Sequence, residues 1–130
     1  MTKTTYLCGG INGLSDSDCR DWRETAKGSL TTRILDPMRR DYRGIEDQNV
    51  NEIVYGDLYD IRASEFVLVN AIRPSWGTAM EIVYAYELGI PVIAWIGDSA
   101  RISPWLRFHC DALHPSLGAA ILDINERAAR

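Results

Sequence analysis

The chain has 130 residues, 46% of them hydrophobic and 25% charged, and a formal net charge of −4. That length supports one domain with its own core, and the acidic balance speaks against a nucleic-acid polymer as partner, since tracking phosphates needs a basic face. No apolar run reaches the roughly 18 residues that span a bilayer, and the N-terminus lacks the pattern of a signal peptide, so the expectation is a cytoplasmic protein without a membrane partner. Cys8, Cys19 and Cys110 show no C-x-x-C spacing, and His109 beside Cys110 has no second ligand pair to complete a zinc site. Buried or free thiols are expected, with no metal and no cofactor.

Thr4 to Cys8 reads as a first buried strand that ends at Gly9-Gly10. Ser15 or Asp16 can cap a helix running to about Leu30, with Trp22 and Ala26 four residues apart. Arg33 to Leu35 is a short second strand, stopped by Asp36-Pro37. Arg39 to Gln48 reads as a long polar loop, a kind that is often functional; its Arg39-Arg40-Asp41-Tyr42-Arg43 stretch is most simply a solvated charge cluster. A helix over about Asn51 to Ala63 puts Ile53, Val54, Leu58 and Ile61 on one face. Phe66 to Ala71 has buried-strand character and leads into an apolar helix from Thr78 to Leu88 that stops at Gly89. Pro91 to Ile96 is a fourth strand, Gly97-Asp98 breaks the chain, Pro104 opens a short helix, Asp111 to His114 is a weak fifth strand, and Ser116 to about Arg127 is a last helix.

Repeated strand–helix–strand units with right-handed crossovers force a parallel sheet with helices on both faces. For five strands the simplest order is 2-1-3-4-5, the flavodoxin-like α/β arrangement of a single domain spanning residues 1–130. Its switch point falls between strands 1 and 3. That brings Tyr6 and the Gly9–Gly13 loop beside the Pro74–Glu81 segment, so two glycine-bearing loops and a carboxylate converge on one crevice.

Glu81 has two readings. Thr78-x-x-Glu81 matches a capping box, in which the glutamate turns back to its own helix; a nucleophile has to face the crevice instead. Asp57 and Asp60 stand one helical turn apart, where solvated aspartates are the usual case. Gly56 between Tyr55 and Asp57 costs on the order of 1 kcal/mol relative to Ala inside a helix, which suggests that something approaches the backbone closely or that the helix starts or bends there. Gly9-Gly10-Ile11-Asn12-Gly13 is a strand-to-helix loop suited either to a tight turn or to backbone contact with a ligand. It is neither G-x-G-x-x-G nor a Walker loop. Trp76 is placed to stack on a base or to shield the crevice; for Trp105 a core or interface role is favoured over ligand contact. A flavin or receiver-type protein is disfavoured, because the first loop has no hydroxyl cluster and the first strand has no acidic pair at its end.

Tyr6-Leu7-Cys8-Gly9-Gly10, Leu35-Asp36-Pro37-Met38-Arg39-Arg40-Asp41, Gly56-Asp57-Leu58-Tyr59-Asp60-Ile61 and Pro74-Ser75-Trp76-Gly77-Thr78-Ala79-Met80-Glu81 together resemble the nucleoside 2-deoxyribosyltransferase superfamily, which includes 2′-deoxynucleoside 5′-phosphate N-hydrolases. The likeness runs in order from Tyr6 to about Ile96. It implies that Glu81 is a nucleophile attacking C1′ of the sugar, that Asp57 assists the departing base or positions the sugar hydroxyls, and that Tyr6 orients the glutamate. Substrate contacts are expected from Gly9, Gly10, Asn12, Ser75, Trp76 and Gly77; the resemblance implies that Ser75 meets a 5′-phosphate and that Ser103 approximates a phosphate-binding serine given by a neighbouring subunit. A homodimer or higher homo-oligomer and a small nucleoside or nucleotide substrate follow from the same likeness. Where the phosphate-dependent hydrolases carry a serine and an arginine, this chain has Gly10 and Asn12, which leaves nucleoside against nucleotide, and transferase against hydrolase, open. The alternative is a catalytically silent nucleotide-binding module, a sensor or sponge using the same crevice.

Overall fold

Five short strands, β1 (Thr4–Cys8), β2 (Arg33–Leu35), β3 (Phe66–Asn70), β4 (Val92–Trp95) and β5 (Ala112–His114), form one sheet in the order 2-1-3-4-5, and every neighbouring pair is parallel. The structure is a computed structural model that describes residues 2–98 and 101–130. Helices α1 (Asp16–Ser29), α2 (Val50–Arg62), α3 (Trp76–Glu87) and α4 (Pro104–His109) make the crossovers, and α5 (Leu117–Ala128) follows the last strand. Among the described residues no helix is long and apolar enough to cross a membrane.

Alternation along the strands divides the core in two. Leu7, Phe66, Leu68 and Ile93 pack under α1 and α5 with Trp22, Ala26, Ile121 and Ile124. Tyr6, Cys8, Val67, Val69, Val92 and Ala94 face the other way, toward Ile61, Ile82 and Ala85 of α2 and α3. Period-two geometry therefore sends Tyr6 and Cys8 to the same layer as α3. That parity decides which side of the sheet can hold the site.

The long polar segment is more ordered than a plain loop. Pro37–Arg39 and Glu46–Gln48 each form a single 3-10 turn, the first capped by Asp36, whose Oδ1 accepts from the Met38 N–H at 2.9 Å. Arg43 pairs with Asp41 and Asp16 at the surface, but two of the arginines reach a buried carboxylate. Arg39 Nη1 and Nη2 donate to the two oxygens of Asp60 at 2.8 and 2.9 Å, and Arg40 Nη2 donates to Asp60 Oδ2 at 2.8 Å. Asp60 is buried, not solvated, at 3% exposure. Burial pushes its carboxyl up, but the hydrogen bonds from Arg39 and Arg40 outweigh that and hold it below the ordinary aspartate value.

At Gly9 the backbone passes so close to the core that a methyl group has no room. An added Cβ stands 2.7 Å from Trp22 Cζ2 and 3.2 Å from Asn70 Cβ. Gly9→Ala should therefore cost about 1–3 kcal/mol by overpacking, read from urea unfolding. A variant as stable as the wild type shows that Trp22 has space to yield.

Candidate functional site

Helix α3 begins earlier than the sequence pattern predicts. Its cap is Ser75, whose Oγ accepts from the Thr78 N–H at 3.4 Å, so Thr78 lies inside the first turn and Glu81 in the second. The expected capping box is absent. Glu81 accepts instead from β1: Tyr6 Oη donates to Oε2 at 2.7 Å and Cys8 Sγ to Oε1 at 3.3 Å. The parallel register explains the meeting. Tyr6 pairs with Val67 and Cys8 with Val69 on β3, and their side chains rise into the layer that α3 covers. Glu81 is also farther from the positive end of its helix than a first-turn position would put it, so the helix dipole does less to stabilise its charge.

Burial pushes the Glu81 carboxyl up to about 7; the Tyr6 hydrogen bond pulls it down, the Asp57 charge adds to the rise, and Cys8 and Arg23 oppose it. Burial and then the Glu81 charge raise Tyr6 well above its ordinary value, and the same two causes act on Cys8. Both therefore remain donors. Two donors on two oxygens suit an ionised carboxylate, which only accepts. Burial suits a neutral one. The balance leaves Glu81 poised near neutrality.

Asp57 stands on the facing wall, on α2, half-buried. Burial raises its carboxyl above the ordinary value and the Arg40 guanidinium works against that rise. Arg40 Nη2 donates to Asp57 Oδ1 at 3.3 Å. The close approach that Gly56 suggests is Arg40 itself: a Cβ at position 56 would stand 3.1 Å from its Nε and Nη2.

One cavity of about 190 Å³ gathers Tyr6, Gly9, Asn12, Asp57, Ser75, Gly77 and Glu81, walled on the far side by Met38, Arg40 and Tyr42. Gly10 and Trp76 line a second cavity of about 570 Å³ that shares Asn12, Ser75 and Gly77 with the first. The Asn12–Ser75 region is thus a saddle between two hollows. Trp76 is 86% exposed and lines the second cavity but not the one that holds Glu81. Ser103 lies apart from the Glu81 cavity; its Oγ caps α4 by accepting from the Trp105 N–H at 3.2 Å, and it borders a third, mostly apolar hollow. A core role for Trp105 is overturned: the ring is 73% exposed and stacks on His109.

Three contributors escape the sequence reading. Cys8 touches the glutamate, Arg40 touches Asp57, and Arg23 anchors the first loop by donating from Nη2 to the Gly9 carbonyl at 3.0 Å. Arg23 left a trace, since Cys19, Trp22, Arg23 and Ala26 form a helical stripe and a charge on such a stripe needs a buried partner. The thiol contact left none. Among the described residues no group of three or more His, Cys, Asp or Glu is arranged to hold a metal ion.

No protein-family model and no curated protein matches the sequence. Solved structures do. A 2-deoxyribosyltransferase from Bacillus psychrosaccharolyticus is similar with a TM-score of 0.69 at 17% identity, covering 91% of this chain and 90% of its own. A 2-deoxyribosyltransferase from Leishmania mexicana gives 0.66 at 20% identity, with 95% and 97% covered. The CMP N-glycosidase BcmB of Clostridium botulinum gives 0.63 at 12% identity, with 96% and 99% covered. The sheet order expected from the sequence is the one found, and this chain shares its fold with the two 2-deoxyribosyltransferases and the N-glycosidase.

Proposed function

We propose that this chain is an enzyme that cleaves the N-glycosidic bond of 2′-deoxynucleosides or their 5′-monophosphates through a covalent deoxyribosyl–Glu81 intermediate. The observation that carries the proposal is the orientation of Glu81, which leaves its own helix end unbonded and accepts from Tyr6 Oη in the wall of a cavity shared with Asp57. The transferase and N-glycosidase neighbours support glycosyl transfer or cleavage as the general chemistry.

Bond cleavage develops oxocarbenium character at C1′, and without a 2′-hydroxyl that cation is less destabilised inductively. A Glu81 oxygen bonds to C1′ as the C1′–N bond breaks. The bonding pair leaves with the base, which takes a proton from Asp57. Water then attacks C1′, returns a proton to Asp57 and frees Glu81; in transfer, the ring nitrogen of a second base takes the place of water. Tyr6 and Cys8 hold the carboxylate by both oxygens, so its orientation is set before substrate arrives. Ser75, Gly77 and Asn12 would meet the sugar end, with Gly9 and Gly10 supplying backbone; no cofactor is called for.

A homodimer or higher oligomer belongs to the same proposal, because Ser103 can serve a crevice only in a neighbouring copy. Sedimentation at micromolar concentration tests it. The three free thiols fit a reducing, cytoplasmic setting in nucleotide metabolism.

Incubation with a panel of deoxynucleosides and monophosphates, followed by chromatography for free base, tests the activity, the base and the phosphate preference together. Binding without turnover would establish the silent module instead. Tyr6→Phe refines the test. Losing the phenol donor lets burial carry Glu81 further up, so the acidic limb of kcat/KM should move to higher pH and activity near pH 6 should fall about tenfold for each pH unit moved. An unmoved limb means that Glu81 is not the group whose ionisation is being read.

A further inference from the structure

We propose that Arg40 is a positioning residue for Asp57: seated in the gap that Gly56 leaves on α2, its guanidinium aims the carboxylate at the leaving base. This rests on the reading of Asp57 as proton donor to the base.

The seat is built from three observations. Arg40 Nη2 bridges Asp57 Oδ1 at 3.3 Å and Asp60 Oδ2 at 2.8 Å. Asp60 is itself immobilised, buried and gripped by both nitrogens of Arg39. The guanidinium lies against the bare backbone of residue 56, where any side chain would meet it at 3.1 Å. A buried carboxylate thus holds the arginine, and the arginine holds the carboxylate that lines the cavity. A planar guanidinium can span two carboxylates in this way, and an ammonium is a poorer substitute.

The charges around Asp57 identify Arg40 as the controlling one. From its own helix comes Asp60, whose charge works against the charged form of Asp57; from α1 comes Arg23; from α3 and β1 come Glu81 and Tyr6. Asp41 and Glu46 border the same cavity, and Asp41 is tied to Arg43 at 2.7 Å. Of the groups that favour the charged form of Asp57, Arg40 acts most strongly, and it also makes the hydrogen bond.

The test compares Arg40→Met, Arg40→Lys and Gly56→Ala with the wild type on whichever deoxynucleoside the wild type turns over. The limb of kcat/KM that reports Asp57 should move up by about one pH unit in Arg40→Met, the lower end of what a neighbouring guanidinium does to a carboxylate. Arg40→Lys should restore most of that limb. Gly56→Ala keeps the charge and favours helix, so it should fold and shift the limb in the same direction by less. A second readout uses 7-methyl-2′-deoxyguanosine, whose cationic base departs neutral without a proton. Arg40→Met should lose about tenfold or more on 2′-deoxyguanosine, the lower range of general-acid contributions, while holding its rate on the methylated substrate. If Arg40→Met does not fold, Gly56→Ala and Arg40→Lys carry both readouts. Equal losses on the two substrates with an unmoved limb overturn the role of Arg40 alone. A wild type that binds deoxynucleosides and releases no base overturns the enzymatic reading and this role with it.

Discussion

Glu81→Gln should stop base release, by on the order of 10³-fold or more as expected for a lost nucleophile, and should also remove a pH-dependent weakness of the fold. The second effect follows from the carboxyl standing at about 7 in the folded chain against an ordinary 4.5. A raised acid binds its proton more tightly when folded, so its contribution to stability is complete below pH 4.5 and declines as the pH rises toward 7. Across that window the wild type should lose about 3 kcal/mol, at 1.36 kcal/mol per pH unit. The amide has no proton to lose. It offers Tyr6 and Cys8 one oxygen instead of two, which removes one hydrogen bond worth about 1 kcal/mol. Glu81→Gln should therefore be slightly less stable than wild type at pH 5 and clearly more stable at pH 8, by urea unfolding at both. A gap that ignores pH would show that Glu81 is not the buried titrating group, and base release near the wild-type rate would remove it from the chemistry. Stability gained where activity is lost is the expected mark of a strained functional group.

The sheet order was legible because each step of it is local. Apolar runs, Gly and Pro stops and the handedness rule leave few topologies, and the convergence of Tyr6, the first loop and Glu81 follows from that order. The orientation of Glu81 was not legible. Thr78-x-x-Glu81 is a capping box by pattern, and only the choice of Ser75 as cap moves the glutamate one turn onward. Both candidates are hydroxyl residues with similar local preference. The charged segment misled for the opposite reason. Arg39 and Arg40 look solvated in isolation, and their partner Asp60 lies 20 and more residues away. Gly56 was the local sign of that long-range pairing, an energetic cost inside a helix that required a neighbour to explain it. Exposed Trp105 shows the limit of composition: a large aromatic is read as core or interface, and nothing near it in sequence says which.

Arg23→Met should be the most damaging single change to stability outside the apolar core, about 3–5 kcal/mol, the range for breaking a buried ion pair from one side. Arg23 is fully buried, with Nη1 donating to the Cys19 carbonyl at 2.6 Å and Nη2 to the Gly9 carbonyl at 3.0 Å, and its guanidinium stacks 4.6 Å from the Trp22 ring centroid. Its Nε stands 3.6 Å from Asp36 Oδ1, an ion pair with almost no exposed surface. Burial lowers its hold on the proton, and the Asp36 charge acts against that. Methionine keeps the apolar stem and ends near the position of Nε, so the loss would report mainly the polar contacts of the guanidinium. Asp36 would keep only Lys27 at 2.7 Å and the Met38 N–H. The same guanidinium connects α1, the end of β2 and the Gly9 loop, which forms part of the Glu81 cavity. Loss of Arg23 should therefore also weaken substrate binding through a loosened loop, seen as a raised KM in whatever fraction remains folded. Adding Asp36→Asn should recover part of the stability, because the stranded charge disappears with its partner, and a double-mutant cycle would then give a coupling of about 1 kcal/mol or more. A single variant within 1 kcal/mol of wild type, with no coupling to Asp36, would mean that the buried pair is replaceable packing and that Gly9 is held by its own turn.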